Sequence, residues 1–153
     1  MANDFRIRFG DMLAGSLPVS LNAANNHLSF RASPIPYDSL DDLVTALITV
    51  LAADIVQITV RWNTEPVEYA FQFSVESGSI RLKIEQFPDS TRQHDSGQVV
   101  FTILGSPEAI VLPFWRALRS LESKHHETWQ WQHPFPTSNM RKLDQHIQRL
   151  KHQ

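Results

Sequence analysis

The feature that most constrains this chain is a long run of alternation between residues 56 and 104. Val56, Ile58, Val60 and Trp62 alternate with Gln57, Thr59 and Arg61. Val67, Tyr69, Phe71, Phe73 and Val75 alternate with Glu68, Ala70, Gln72 and Ser74, and Ile80, Leu82 and Ile84 with Arg81, Lys83 and Glu85. A period of two is the signature of a half-buried strand. The connections Asn63-Thr64-Glu65-Pro66 and Glu76-Ser77-Gly78-Ser79 are too short for a parallel crossover, which needs about a dozen residues. The strands must therefore run antiparallel. After a polar stretch from Pro88 to Gly97, Gln98–Leu104 adds a fourth strand, apolar on both faces and so expected to be central or covered on both sides.

Ahead of this meander, Phe5, Ile7 and Phe9 alternate with Arg6 and Arg8, and two short strands are expected at Leu17–Asn22 and His27–Ala32. Pro34 and Pro36 then break the chain. Asp38 or Ser39 can cap a helix whose apolar stripe is Leu40, Leu43, Val44, Leu47, Ile48 and Leu51. Asp41 and Asp42 suit its positive N-terminal end.

Behind the meander, Ser106-Pro107-Glu108 resembles a helix start, but Pro113 interrupts it. A turn at Ser106–Ala109 and a helix beginning near Pro113 are expected, with a single kinked helix from Pro107 as the alternative. Thr128–His133 alternates Trp129, Trp131 and His133 with Gln130 and Gln132, predicting one late strand. Thr137 or Ser138 can cap a last helix carrying Met140, Leu143, Ile147 and Leu150. The predicted fold class is α+β: a mostly antiparallel sheet of N-terminal strands, four-strand meander and late strand, with about three helices packed on one face.

A chain of 153 residues fits one domain spanning 1–153. With no cysteine, disulfides and thiolate zinc sites are excluded. No signal-like N-terminus and no bilayer-length apolar run is present, so a cytoplasmic protein without membrane contact is expected. The formal charge of −2 is uneven: residues 1–110 hold 7 Lys/Arg against 13 Asp/Glu, and residues 111–153 hold 7 against 3.

Chemistry-bearing motifs are sparse. Gly105-Ser106 follows a strand but lacks the second glycine and the lysine of a phosphate loop. His125 and His126, beside Glu127 and near His133, are adjacent rather than one turn apart, so they do not share a helix face. There is no Gly-x-Ser-x-Gly elbow, and no catalytic residue, metal ligand or cofactor is assigned. Aromatic residues stand out instead. Trp129, Trp131 and His133 lie beside a helix bearing Arg141 and Arg149. This pattern fits a protein-binding patch, though alternating tryptophans more often fill a core. Glu65, Glu68, Asp89 and Asp95 form a second, acidic candidate surface that could steer a basic partner.

As a small, cysteine-free, mildly acidic α+β domain without a catalytic signature, the chain resembles bacterial immunity proteins, which neutralise a toxin by binding it; the resemblance rests on no diagnostic motif. The expectation is a non-enzymatic protein-binding module with a protein partner. The alternatives are a nucleic-acid-binding domain using the basic C-terminal helix, with Arg141, Lys142 and Arg149 on phosphates, or a small-molecule binder or enzyme of unassigned chemistry.

Overall fold

The computed structural model describes residues 4–52, 57–93, 95–124 and 129–152. The elements run β1 (Arg6–Phe9), β2 (Leu17–Ala23), β3 (Asn26–Ala32), α1 (Ser39–Ala52), β4 (Gln57–Asn63), β5 (Glu68–Glu76), β6 (Ser79–Phe87), β7 (Gln98–Gly105), α2 (Pro107–Ser123) and α3 (Thr137–Lys151). They make an α+β fold with two antiparallel sheets, ordered β1-β2-β3 and β4-β5-β6-β7. The predicted meander is the second sheet. Its register pairs Phe71 with Val60 and Ile84, and Leu82 with Phe73 and Ile103, so one face is a continuous apolar layer.

That layer is closed from above by the first sheet, α1 and α2. Leu17, Val19, Leu21 and Ala32 are buried on the inner face of the β1-β2-β3 sheet. Phe30 reaches across to stack on Tyr69, with ring centroids 4.5 Å apart. Helix α1 lies against β4 and β5, α2 against β1, β6 and β7, and α3 packs chiefly on α1. One apolar cluster runs through all of them.

Hairpin turns follow from local chemistry. Ser77 and Gly78 both take left-handed backbone (φ +51° and +82°), the twist that suits a two-residue connection. Strands β2 and β3 are joined more tightly than expected, through Ala24 and Asn25 alone. Asp38 caps α1 by accepting from the Asp41 amide at 3.4 Å, while the Ser39 hydroxyl donates to the Arg61 carbonyl of β4.

Four expectations need correction. First, α2 is a single helix from Pro107 through Pro113, not a turn followed by a later start. Ser106 Oγ accepts from the Ala109 amide at 3.1 Å and starts it. Continuity buries Ile110 and Val111, worth about 2 kcal/mol each, which exceeds the roughly 3 kcal/mol cost of an internal proline.

Second, β7 is an edge strand. Its inward residues Phe101 and Ile103 are buried, but Val99 and Leu104 are 53% and 44% exposed. Its apolar outer face reflects composition, not a covering layer.

Third, Trp129–His133 forms no strand; Thr128 lies outside the described residues. The segment bends back on itself, with Trp129 Nε1 donating to the His133 carbonyl at 2.9 Å. Its other polar groups bond to loops instead of a ladder.

Fourth, Thr137 is already inside α3, and no side chain caps that helix. His94, His125, His126 and Glu127 lie outside the described residues. No described helix is long and apolar enough to cross a membrane.

Candidate functional site: a groove among the end loops

At one end of the two sheets the chain crosses between layers, and the crossings are tied together by side chains. Asn63, the last residue of β4, shapes the turn that follows: its Oδ1 accepts from the Glu65 amide at 3.0 Å. Its Nδ2 donates to the Ile35 carbonyl at 2.6 Å, and the Ser33 amide donates to the Asn63 carbonyl at 2.8 Å. The loop after β3 is thereby fixed to the β4–β5 turn. Ser33 Oγ adds a bond to Glu65 Oε1 at 3.3 Å.

Residues 129–133 join the same end. The Gly15 amide donates to Gln130 Oε1 at 3.0 Å, and the Pro34 carbonyl accepts from His133 Nε2 at 3.2 Å. Between these segments lies a groove of about 530 Å³, lined by Gly15, Pro34, Ile35, Glu65, Gln130 and Gln132 among others. Ile35 stands 53% exposed on it.

Beneath the loops is a buried polar cluster. Glu68 is 1% exposed; one carboxylate oxygen accepts from Tyr37 Oη at 2.8 Å and the other from Arg92 Nη1. Arg92 Nη1 also donates to Tyr37 Oη at 3.1 Å. A buried carboxylate needs a counter-charge and several donors to be tolerable, and here it has both. The long loop between β6 and β7 is thus held to the protein body by Arg92.

Backbone geometry marks the same region. Six described non-glycine residues have left-handed backbone. Ala24 and Ser77 belong to the hairpins. The other four lie on these end loops: Ala14 (φ +53°), Glu65 (φ +49°), Arg92 (φ +45°) and Asp95 (φ +69°). Each costs about 1–2 kcal/mol in a residue with a Cβ, and such residues gather at functional sites.

The residues singled out in the sequence distribute as follows. Trp131 is buried, with Nε1 donating to Asp38 Oδ1 at 3.1 Å, and Trp129 is half-buried with its ring edge-on to Phe135. Neither lines the groove, and Trp129 faces two other clefts, one beside Met12 and Leu121 and one beside Pro134 and Phe135. Glu65 lines the groove, while Glu68 is buried on Tyr37 and Arg92. Asp89 and Asp95 are exposed on the loop that Arg92 anchors. Asp89 Oδ1 accepts from both the amide and the hydroxyl of Thr91, at 3.0 and 2.6 Å, which holds its carboxyl below the usual range.

Arg141 and Arg149 lie apart from the groove, on α3. Arg141 forms a fork on Glu122, both contacts at 2.7 Å, and reaches Asp144 at 3.2 Å, knitting α3 to α2. Arg149 is exposed. The residues missed by sequence reading are Asn63, Ile35, Tyr37 and Arg92. Only Asn63-Thr64-Glu65-Pro66 left a local trace, as a turn; the contacts between loops 30 residues apart leave none. No family model matches the chain, and comparison with curated proteins and with solved structures finds no match.

Proposed function

We propose that the protein is a non-enzymatic protein-binding module, with neutralisation of a toxin by direct binding as its most specific form. The observation that carries the reading is the gathering of four left-handed non-glycine residues on the end loops, held by a buried polar cluster. Loops fixed in this way lose little entropy on association, which favours recognition of one partner shape. The groove carries one exposed acid, Glu65, and one exposed cation, Arg31, while Asp89 and Asp95 add exposed acidic charge on the β6–β7 loop that suits a basic partner surface; Ile35 offers an apolar contact in the groove lining.

The test is affinity capture from lysate with and without nuclease treatment, comparing the native protein with Ile35→Ala and Asp89→Lys variants. One stoichiometric protein, recovered by the native protein and lost by both variants, supports the reading. Recovery that disappears on nuclease treatment assigns the protein to nucleic acid instead. Recovery indifferent to both substitutions removes the groove from the interface.

A further inference from the structure

Most arginines in ion pairs here are answered at close range: Arg81 by Glu76 at 2.8 Å, Arg119 by Asp144 at 3.5 Å, Arg141 by Glu122 at 2.7 Å, and Arg92 by Glu68. Four exposed arginines differ: among the described residues the side chains of Arg6, Arg8, Arg116 and Arg149 have no ion pair or hydrogen bond. Arg149 stands apart on α3, but Arg6, Arg8 and Arg116 line one cleft of about 320 Å³ between β1 and α2, together with Lys124.

Both walls follow from the periodicity of their elements. Arg6 and Arg8, two apart on β1, share the outer face of the strand. On α2, Arg116 and Ser120 lie four apart and share one side of the helix, and Lys124, the extended residue that ends it, lines the same cleft. Apolar surface from Ile7, Pro113 and Ala117 fills the space between. The nearby acids do little to balance the charge. Asp11 meets Lys124 at 3.8 Å from a side chain 94% exposed, and Asp4 is occupied by the Ala24 amide at 2.9 Å.

Four cations beside one solvated carboxylate repel each other, and this occurs in a chain whose Asp and Glu outnumber its Lys and Arg by 16 to 14. A bound anion would relieve that repulsion. Guanidinium forks match phosphate oxygens in pairs, lysine supplies a point charge, and the Ser120 hydroxyl can donate between them. The volume is that of a small-molecule site. Phe5 and Phe9 are only 4% exposed, so the cleft presents no aromatic face on which a nucleic-acid base could stack.

We propose that the cleft between β1 and α2 binds a small polyphosphate-bearing molecule through Arg6, Arg8, Arg116 and Lys124. The site is separate from the loop groove and stands or falls independently of it.

Calorimetric titration of the intact chain with sodium tripolyphosphate, and with inorganic phosphate at matched ionic strength, is the test. Tripolyphosphate should bind at one site, at least about tenfold tighter than phosphate, and more weakly as salt rises. Arg8→Gln and Arg116→Gln should each weaken it about tenfold, the loss of one charge-assisted contact. Arg149→Gln on α3 and Glu65→Asn at the loop groove should leave it unchanged. All are exposed positions, and circular dichroism checks their folding. Absence of binding overturns the proposal, as does equal affinity in the Arg8→Gln/Arg116→Gln double variant, or an equal loss with Arg149→Gln. Binding of an oligo-aspartate peptide or a single-stranded oligonucleotide in place of tripolyphosphate would also overturn it.

Discussion

At the residue scale, Glu65 shows how a charged side chain comes to occupy backbone that its Cβ disfavours. Asn63 Oδ1 accepts its amide, and the Thr64 amide donates to the Val67 carbonyl at 2.8 Å, so the turn closes with Glu65 left-handed. Asparagine visits that region readily and a β-branched residue does not. Glu65→Asn is therefore expected to keep the melting temperature while removing one charge from the groove; Glu65→Val should cost about 2 kcal/mol in chemical denaturation. Asp42 gives a pH-dependent case. Asp42 is exposed, but partial desolvation of its carboxyl against the protein, then the neighbouring Asp41 and Asp38, raises it above the ordinary value despite Arg61. A raised carboxyl binds its proton more tightly in the folded state, so ionising it subtracts stability as pH rises past the unfolded value. Asp42→Asn should raise the melting temperature at neutral pH, and the gain should vanish near about pH 3, where the native carboxyl is itself protonated. A gain that persists in acid would assign the effect to something other than charge.

At the element scale, the loop between β6 and β7 depends on two contacts far apart in sequence. Arg92 reaches Glu68 and Tyr37, and Gly97 passes the Phe87 ring so closely that a Cβ there would come within 2.6 Å of it. Arg92→Ala leaves Glu68 buried with only Tyr37 as a partner, at an expected cost of about 3 kcal/mol. Limited proteolysis should then cut within residues 88–97 while the strands stay protected. Uniform loss of protection across the sheet would show that the cluster supports the whole fold and not the loop. Helix α2 carries a different compromise, since Pro113 forfeits one backbone hydrogen bond inside a helix that Ser106 and the buried stripe hold together. Pro113→Ala should stabilise the protein by about 1–3 kcal/mol in denaturant titration.

At the scale of the whole molecule, charge separates into two regions that linear counting mixes. The acidic loop residues Glu65, Asp89 and Asp95 all come from residues 1–110, but the cationic cleft draws on both parts of the chain: Arg6 and Arg8 come from the part with the acidic excess, yet they sit beside Arg116 and Lys124. If the loop groove meets a basic partner, Asp89→Lys should slow association and flatten its dependence on salt, because the rate of a steered encounter follows the local field. Unchanged rates in stopped-flow mixing would dismiss that role. The antiparallel meander, the N-terminal hairpin and helices α1 and α3 were legible from the chain itself, because period, turn chemistry and, in α1, capping act over a few neighbouring residues. Where burial competes with local preference, tertiary structure decided: Pro113 stays inside α2 because Ile110 and Val111 need the core, and Trp129–His133 forgoes a ladder because loop partners satisfy it. The same holds for the sites. Alternation put Arg6 and Arg8 on one face, and the turn before Pro66 marked Glu65. The pairing of Glu68 with Arg92, and of β1 with α2, joins residues whose separation along the chain leaves no periodic signal, so only the folded molecule could bring them together.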